Sequence, residues 1–148
     1  MDEELITAVQ RGDIEEVKRL VTRGASVHVG DDRPILVAAY EGYHDIVEFL
    51  LRSGADPRAE DSRALGLACY EGHTRVVDLL IESGADVHAK CENSLHLACE
   101  AGHLDIVRLL VRNGADIHAQ NDLALQYAMK YEHDDIVEYL GQCGAALE

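Results

Sequence analysis

The chain has no tryptophan, one phenylalanine and two prolines in 148 residues, and none of its apolar runs approaches the ~20 residues needed for a membrane-spanning helix. A core so poor in aromatics but rich in Leu, Val, Ile and Ala suits many short helices better than a β-sandwich. Basic residues are scarce too: 13 Lys and Arg stand against 28 Asp and Glu, for a formal net charge of −15. With no basic stripe to offset it, that balance repels a phosphate backbone and argues against nucleic acid as a partner. The same acidity keeps a surface solvated and would steer the chain toward a basic partner. The four cysteines, Cys69, Cys91, Cys99 and Cys143, have neither the paired spacing of a zinc site nor the density of a disulfide scaffold, which points to a reducing compartment. Met1 leads into Asp2, Glu3 and Glu4 rather than a basic stretch and an apolar one, so an intracellular, cytoplasmic protein is expected. The length allows one domain and leaves no room for a separate catalytic module.

What is abundant is repetition. Gly24, Gly54, Gly84, Gly114 and Gly144 recur every 30 residues, each followed by Ala. Gly12, Gly42, Gly72 and Gly102 form a second ladder in the same register, broken only by Glu132. Ala8, Ala38, Ala68, Ala98 and Ala128 make a third, and Leu20, Leu50, Leu80, Leu110 and Leu140 a fourth. Ladders sharing one register are the signature of stacked structural units. One domain spanning 1–148 is expected, with units near 1–30, 31–60, 61–90, 91–120 and 121–148.

Each unit splits into two helical stretches, as in Ser94 to Ala101 and Leu104 to Arg112. Ile106, Val107, Leu110 and Val111 fall on one stripe of a 3.6-residue helix, as do Ile46, Val47, Leu50 and Leu51, and each stripe needs a neighbour to cover it. Asp45, Asp105 and Asp135 sit in the first turn and Arg52 and Arg112 in the last, the sense that the helix dipole favours. The glycine just past each second helix suits a left-handed terminating residue.

The segment SLHLACEAGHLDIVRLLVRNGADIHA, Ser94 to Ala119, resembles the ankyrin repeat. Leu95, His96, Ala98, Gly102, His103, Ile106, Val107, Leu109, Leu110, Gly114, Ala115 and Asp116 fit that family's pattern, and the resemblance extends along essentially the whole chain. Pro34 and His96 match parts of the family's Thr-Pro-Leu-His start. The resemblance implies an all-α solenoid of five helix-turn-helix repeats. The period here is 30 residues rather than the family's usual 33, so shortened loops or hairpins with little or no strand are expected. Units of this length, with Asn121 and Asp122 ahead of an Ala-Leu start, are similar to those of ankyrin proteins of giant DNA viruses, which would place the chain in a host-cell cytoplasm. Polar residues in the first unit, and Glu132, Asp134, Gly141 and Gln142 in the last, read as solenoid caps. The expectation is therefore a complete small protein, without a C-terminal degradation-linked box and weakest in its last unit.

Few residues suggest chemistry. By the resemblance, His73, His103 and His133 orient the turn between helices through hydrogen bonds. His28, His88 and His118 lie on successive loops about 8 to 10 Å apart, too far to share one metal with ligands at ~2.0 to 2.1 Å. Cys69 and Cys99 fall at a core position, whereas Cys91 and Cys143 should be exposed and lack an electropositive setting. No Ser-His-Asp or Cys-His arrangement survives the register, and the glycines are punctuation between helices rather than a phosphate loop. No catalytic residue, metal or cofactor is expected.

Positions that the shared core does not require remain. By the resemblance, partners are held along the concave face, by loop tips and the exposed end of each first helix. Here that selects Arg33, Arg63 and Asn93 at the tips, with Tyr40, Glu41, Tyr70, Glu71, Glu100, Lys130 and Tyr131 on the helices. Tyr and Arg are the usual hot-spot residues. The competing reading is that Tyr40 and Tyr70 merely cover the groove against each other. The function expected is a monomeric protein-binding adaptor or inhibitor, which by the viral resemblance would be a viral protein acting on a host factor. The alternative is a passive scaffold or substrate of ankyrin-directed hydroxylases, since His28, His88 and His118 stand where such domains often carry the hydroxylated Asn.

Overall fold

A computed structural model describes residues 1–146, which form ten helices and no strand. They pair as α1 (Asp2–Gln10) with α2 (Ile14–Thr22), α3 (Val29–Glu41) with α4 (His44–Arg52), α5 (Ala59–Glu71) with α6 (Thr74–Glu82), α7 (Ala89–Ala101) with α8 (Leu104–Arg112), and α9 (Ala119–Lys130) with α10 (Asp134–Gln142). The odd-numbered helices pack on one another in sequence as an inner row, and the even-numbered helices stand behind them as an outer row. The chain is thus the all-helical solenoid that the ladders imply. No described helix is long and apolar enough to cross a membrane.

The ladders supply the core. Ala38, Ala68 and Ala98 are fully buried between inner helices, where a small side chain lets the backbones approach. Leu50, Leu80, Leu110 and Leu140 are fully buried between the rows, each contributing on the order of 1.5–3 kcal/mol. Cys69 and Cys99 are buried with them, and Cys91 and Cys143 are exposed. Each outer helix ends in the same way. The Gly114 N–H donates to the Val111 carbonyl at 3.0 Å and the Ala115 N–H to the Leu110 carbonyl at 3.0 Å, with Gly114 at φ +93. That crossed pair satisfies carbonyls the helix leaves open, and it buries the Ala that follows every one of these glycines.

The second glycine ladder has a different purpose. Gly72 is left-handed at φ +85, and a Cβ built there would lie 2.6 Å from the ring of His103 in the next unit. The same contact joins Gly42 to His73, Gly102 to His133 and Gly12 to Tyr43. The ring nitrogen Nε2 of His73, His103 and His133 meets the carbonyl of Tyr40, Tyr70 and Glu100 at 2.8, 2.9 and 2.9 Å, so Nε2 carries the proton and donates. These histidines therefore lock each unit to the one before it, rather than only orienting their own turn. Glu132, also left-handed at φ +60, stands where a glycine would accept the ring of a sixth unit.

The 30-residue period is reached without a hairpin. Three consecutive residues turn left-handed before each regular inner helix: Gly30, Asp31 and Asp32 in α3; Glu60, Asp61 and Ser62 in α5; Lys90, Cys91 and Glu92 in α7; Gln120, Asn121 and Asp122 in α9. All but Gly30 carry a Cβ, at ~1–2 kcal/mol per residue. The turn is closed by its own backbone, the Ser62 N–H reaching the Arg58 carbonyl at 3.1 Å and the Asp32 and Asp122 N–H groups reaching the His28 and His118 carbonyls at 3.3 Å. Pro34 then sits in the first regular turn of α3, where its missing N–H costs nothing.

The glycine ladder predicts opposite signs for changes at equivalent positions. Gly72→Ala should destabilise by more than the ~1–2 kcal/mol of a left-handed Cβ, because the His103 ring must also move, while Glu132→Gly should stabilise by up to ~1 kcal/mol. Denaturant unfolding of both variants would decide it, and a neutral Gly72→Ala would refute the lock. The last unit carries Gly141 inside α10 at ~1 kcal/mol relative to Ala, and Glu132 in place of the turn glycine. Amide exchange should be faster from residue 124 onward than in α7 and α8, and the reverse order would contradict this ranking.

Candidate functional site

The inner row exposes the residues that stacking leaves free. Tyr40 and Tyr70 occupy the same place in α3 and α5, next to the locked carbonyls, and remain 47% and 44% exposed. They stand side by side because their units stack in register, and they make no ring contact with each other. Beside Tyr40 runs a groove of about 450 Å³ lined by Gln10, Arg33, Leu36, Glu41 and Arg63 among others. It spans the inner helices of the first three units.

The polar groups of this groove differ in how they are held. The Arg63 guanidinium donates to a Glu60 carboxylate oxygen at 2.6 Å, which fixes its direction, whereas Arg33 is exposed and has no carboxylate at ion-pair distance among the described residues. Tyr70 and Glu71 are exposed one unit further along and outside the groove itself. Asn93 lines a smaller neighbouring groove of about 220 Å³ together with Arg63, Lys90 and Ser94. Glu100 is half-buried and its carbonyl is taken by His133. Lys130 stands 5.2 Å over the ring of Tyr131, which in turn stacks on Tyr127 at 6.4 Å. The ten expected residues thus divide into a cluster of Arg33, Tyr40, Glu41 and Arg63 at one groove, its continuation through Tyr70, Glu71 and Asn93, and a separate group on the last units.

Sequence reasoning missed the partners of the loop histidines. His28 Nδ1 lies 2.6 Å from Asp32, His88 Nδ1 2.5 Å from Glu92 and His118 Nδ1 2.8 Å from Asp122, each pair bridging one left-handed turn. An acid four residues after each His was visible in the sequence, and it signalled a local pair rather than a metal. In the second unit Arg58 and Ser62 take these places, and the Ser62 hydroxyl instead accepts the Asp86 N–H at 2.9 Å. Tyr43 was missed as well, filling with a phenol ring the place the other joints give to histidine.

The electrostatics separate reactive from inert groups. Burial pushes the Cys99 thiol up to about 12, and it raises Cys69 further still against a weaker opposing hydrogen bond with Ser94. Both thiols stay protonated at neutral pH and behave as small apolar side chains. The hydrogen bond and charge of Glu92 raise the His88 imidazole above its ordinary value. His96, one turn beyond Glu92 in α7, is driven the other way by burial, only partly opposed by Glu92. Its Nε2 and the Glu92 Oε2 are buried without a hydrogen-bond partner. Among the described residues, no group of three or more His, Cys, Asp or Glu could hold a metal ion.

A family described as ankyrin repeats in three copies matches residues 5–91 and again residues 65–148. No curated protein matches the chain.

The paired shifts in α7 give a pH test. His88 should titrate above the ordinary ~6.5 of histidine and His96 below it, resolved by NMR of the imidazole protons. The His88–Glu92 pair stabilises the fold fully below that ordinary value and less as pH rises through the raised one. His96 has the opposite sign, since acidification through ~6.5 favours the unfolded chain, which takes up the proton more readily. Glu92→Gln should return His88 toward its ordinary value. A His88 that titrates at or below 6.5 in the native protein would show that the pair does not form in solution.

Proposed function

The chain belongs to the ankyrin-repeat family, a fold of protein-interaction modules, and from that premise we propose that it is an adaptor or inhibitor that holds a partner protein along its inner helices. The observation that carries this reading is the pair of half-exposed tyrosines at one register position in adjacent units, Tyr40 at the rim of the inner groove and Tyr70 beyond it. Neither ring is needed for stacking. Each offers aromatic area with a polar tip, the combination enriched where interfaces concentrate their energy. Arg33 and Arg63 add forked donors for directed hydrogen bonds, one of them already oriented by Glu60.

The partner binds at the middle units, where Arg33, Tyr40, Glu41, Arg63, Tyr70 and Glu71 follow one another along the inner row. Asn93 and Glu100 extend the surface, and Lys130 and Tyr131 mark its far end. A net charge of −15 favours a partner with a basic surface, mainly through faster encounter rather than tighter final contact. The buried ladders cannot locate the site, because changing Leu80 or Ala68 would unfold the scaffold and abolish binding together.

The test is a comparison of wild type with Tyr40→Ala/Tyr70→Ala, first by quantitative affinity capture from the native cell and then with the purified partner. The double variant should melt within a few degrees of wild type, since exposed substitutions usually stay within about 0.5 kcal/mol each. Each tyrosine should cost the complex at least ~1 kcal/mol, roughly fivefold in Kd. Glu48→Ala on the outer face of α4 should leave the complex unchanged. Strong loss from Glu48→Ala with none from the tyrosines would place this partner on the outer row and end the reading.

A further inference from the structure

A second groove, of about 340 Å³, opens on the opposite side of the solenoid between outer helices α6 and α8. Thr74, Arg75 and Asp78 line it from α6, and Asp105, Arg108 and Arg112 from α8. Three guanidinium groups around one groove are out of keeping with a chain of net charge −15. None of the three has a carboxylate at ion-pair distance among the described residues, as is true of Arg11, Arg23 and Arg33 but not of Arg19, Arg52, Arg58 and Arg63, and of that unpaired set Arg75, Arg108 and Arg112 alone gather at one groove. The guanidinium carbon of Arg108 stands 5.4 Å from the centre of the Tyr139 ring, a cation–π contact that leaves its N–H groups without a carboxylate partner among the described residues.

Arg75 also departs from the repeat. The equivalent place in the other units holds Glu15, Asp45, Asp105 and Asp135, all acids in the first turn of an outer helix, where the dipole favours negative charge. Helix α6 alone has no acid in its first turn. A cation at the positive end of a helix works against that helix, and a local rule broken without a compensating contact marks a place to look for function.

We propose that the α6–α8 groove binds a phosphorylated side chain of a partner protein. A phosphomonoester carries close to two negative charges and three strong acceptor oxygens, so one group can engage more than one arginine fork together with the Thr74 hydroxyl. A carboxylate side chain brings half the charge to the same contacts. The acidic field of the whole chain opposes any polyanion charge by charge, so a compact dianion gains the most local attraction for the least long-range repulsion. Asp78 and Asp105, lining the same groove, further disfavour an extended anionic surface such as RNA. This site is independent of the tyrosine face and lies on the other row of helices.

The full chain, immobilised, would be offered degenerate peptide libraries with a fixed central phosphoserine or phosphotyrosine, parallel libraries with Ser or Glu at that place, and a mixed-sequence single-stranded RNA. Retention of either phosphorylated library at least tenfold above its Ser and Glu counterparts is expected. Arg75→Asp should abolish that difference while matching or exceeding the wild-type melting temperature, because it restores the acid that the other units carry. Tyr40→Ala/Tyr70→Ala should retain the phosphopeptides fully. Equal retention of the Glu library, equal binding of RNA, persistence in Arg75→Asp or loss in the tyrosine variant would each overturn the proposal.

Discussion

Each unit of this solenoid is joined to the one before it by an aromatic ring laid on a left-handed glycine. The glycine ends an inner helix, where carbonyls lack intrahelical partners, and the histidine of the following unit donates Nε2–H to one of them: Tyr40, Tyr70 or Glu100. The contact has two requirements that must be met in different units, a residue without a Cβ in one and a planar donor in the next. Tyr43 meets the steric half over Gly12 with a phenol ring. The first and last of these five units each depart from one requirement. The first unit has Asp13 in place of the ring, used to cap α2 through the Glu16 N–H, and the last has Glu132 in place of the glycine. A further unit of this kind stacked on Glu132 would meet a carboxylate-bearing side chain where its ring must lie.

The joint also shapes the proposed binding surface. It takes up the C-terminal end of each inner helix and presents the side chain next to it, so the residues whose carbonyls are locked, Tyr40 and Tyr70, are held firmly while their rings stay exposed. The left-handed turns set the other border of the inner face. Replacing a hairpin with three left-handed residues places Arg33 and Arg63 directly after the turn, and the Glu60 carboxylate inside the turn orients Arg63. A surface built on helix ends and closed turns is ordered before a partner arrives, which lowers the entropic cost of the complex.

The architecture was legible because stacking imposes the same demand 30 residues apart. Ala38, Ala68 and Ala98, or Leu50, Leu80 and Leu110, solve one packing problem repeatedly, and helix boundaries such as Leu104–Arg112 follow from that register together with dipole and capping signals. The hairpin-or-loop segment was legible only as a deletion. Nothing in Glu60-Asp61-Ser62 or Lys90-Cys91-Glu92 announces a left-handed run, because these residues ordinarily avoid that region and adopt it here under closure from both sides. The role of His73, His103 and His133 was half legible: their periodicity showed, but the acceptor lies 33 residues back in another unit. The His–acid pairs were within reach, at a spacing of four residues, and were obscured by reading each histidine against its repeat equivalents instead of its own neighbours. The candidate site was legible as a list of unconstrained positions. Which of them share a groove was not, because that depends on how the inner helices lie against one another: Gln10, at the register position of Tyr40 and Tyr70, and the buried Leu36 both line it.

The same logic of departures gives the outer row its meaning. Where every unit must satisfy the same helix dipole, an acid in the first turn is the cheap solution, and four of the five units adopt it. Arg75 forgoes it and brings a third guanidinium to a groove that Arg108 and Arg112 already line. On the inner row, by contrast, the departures are aromatic and lie beside a groove of mixed charge, with Arg33 and Arg63 facing Asp31, Glu41 and Glu60. An acidic scaffold repels anions at long range, so an anion reaches the outer groove only if its charge is compact enough to gain more in contact than it loses on approach. The inner face has no such threshold, since the field of the chain already draws a basic surface toward it. On the two proposals the rows differ in kind: one would take a broad partner surface anchored by tyrosine, the other a single concentrated charge.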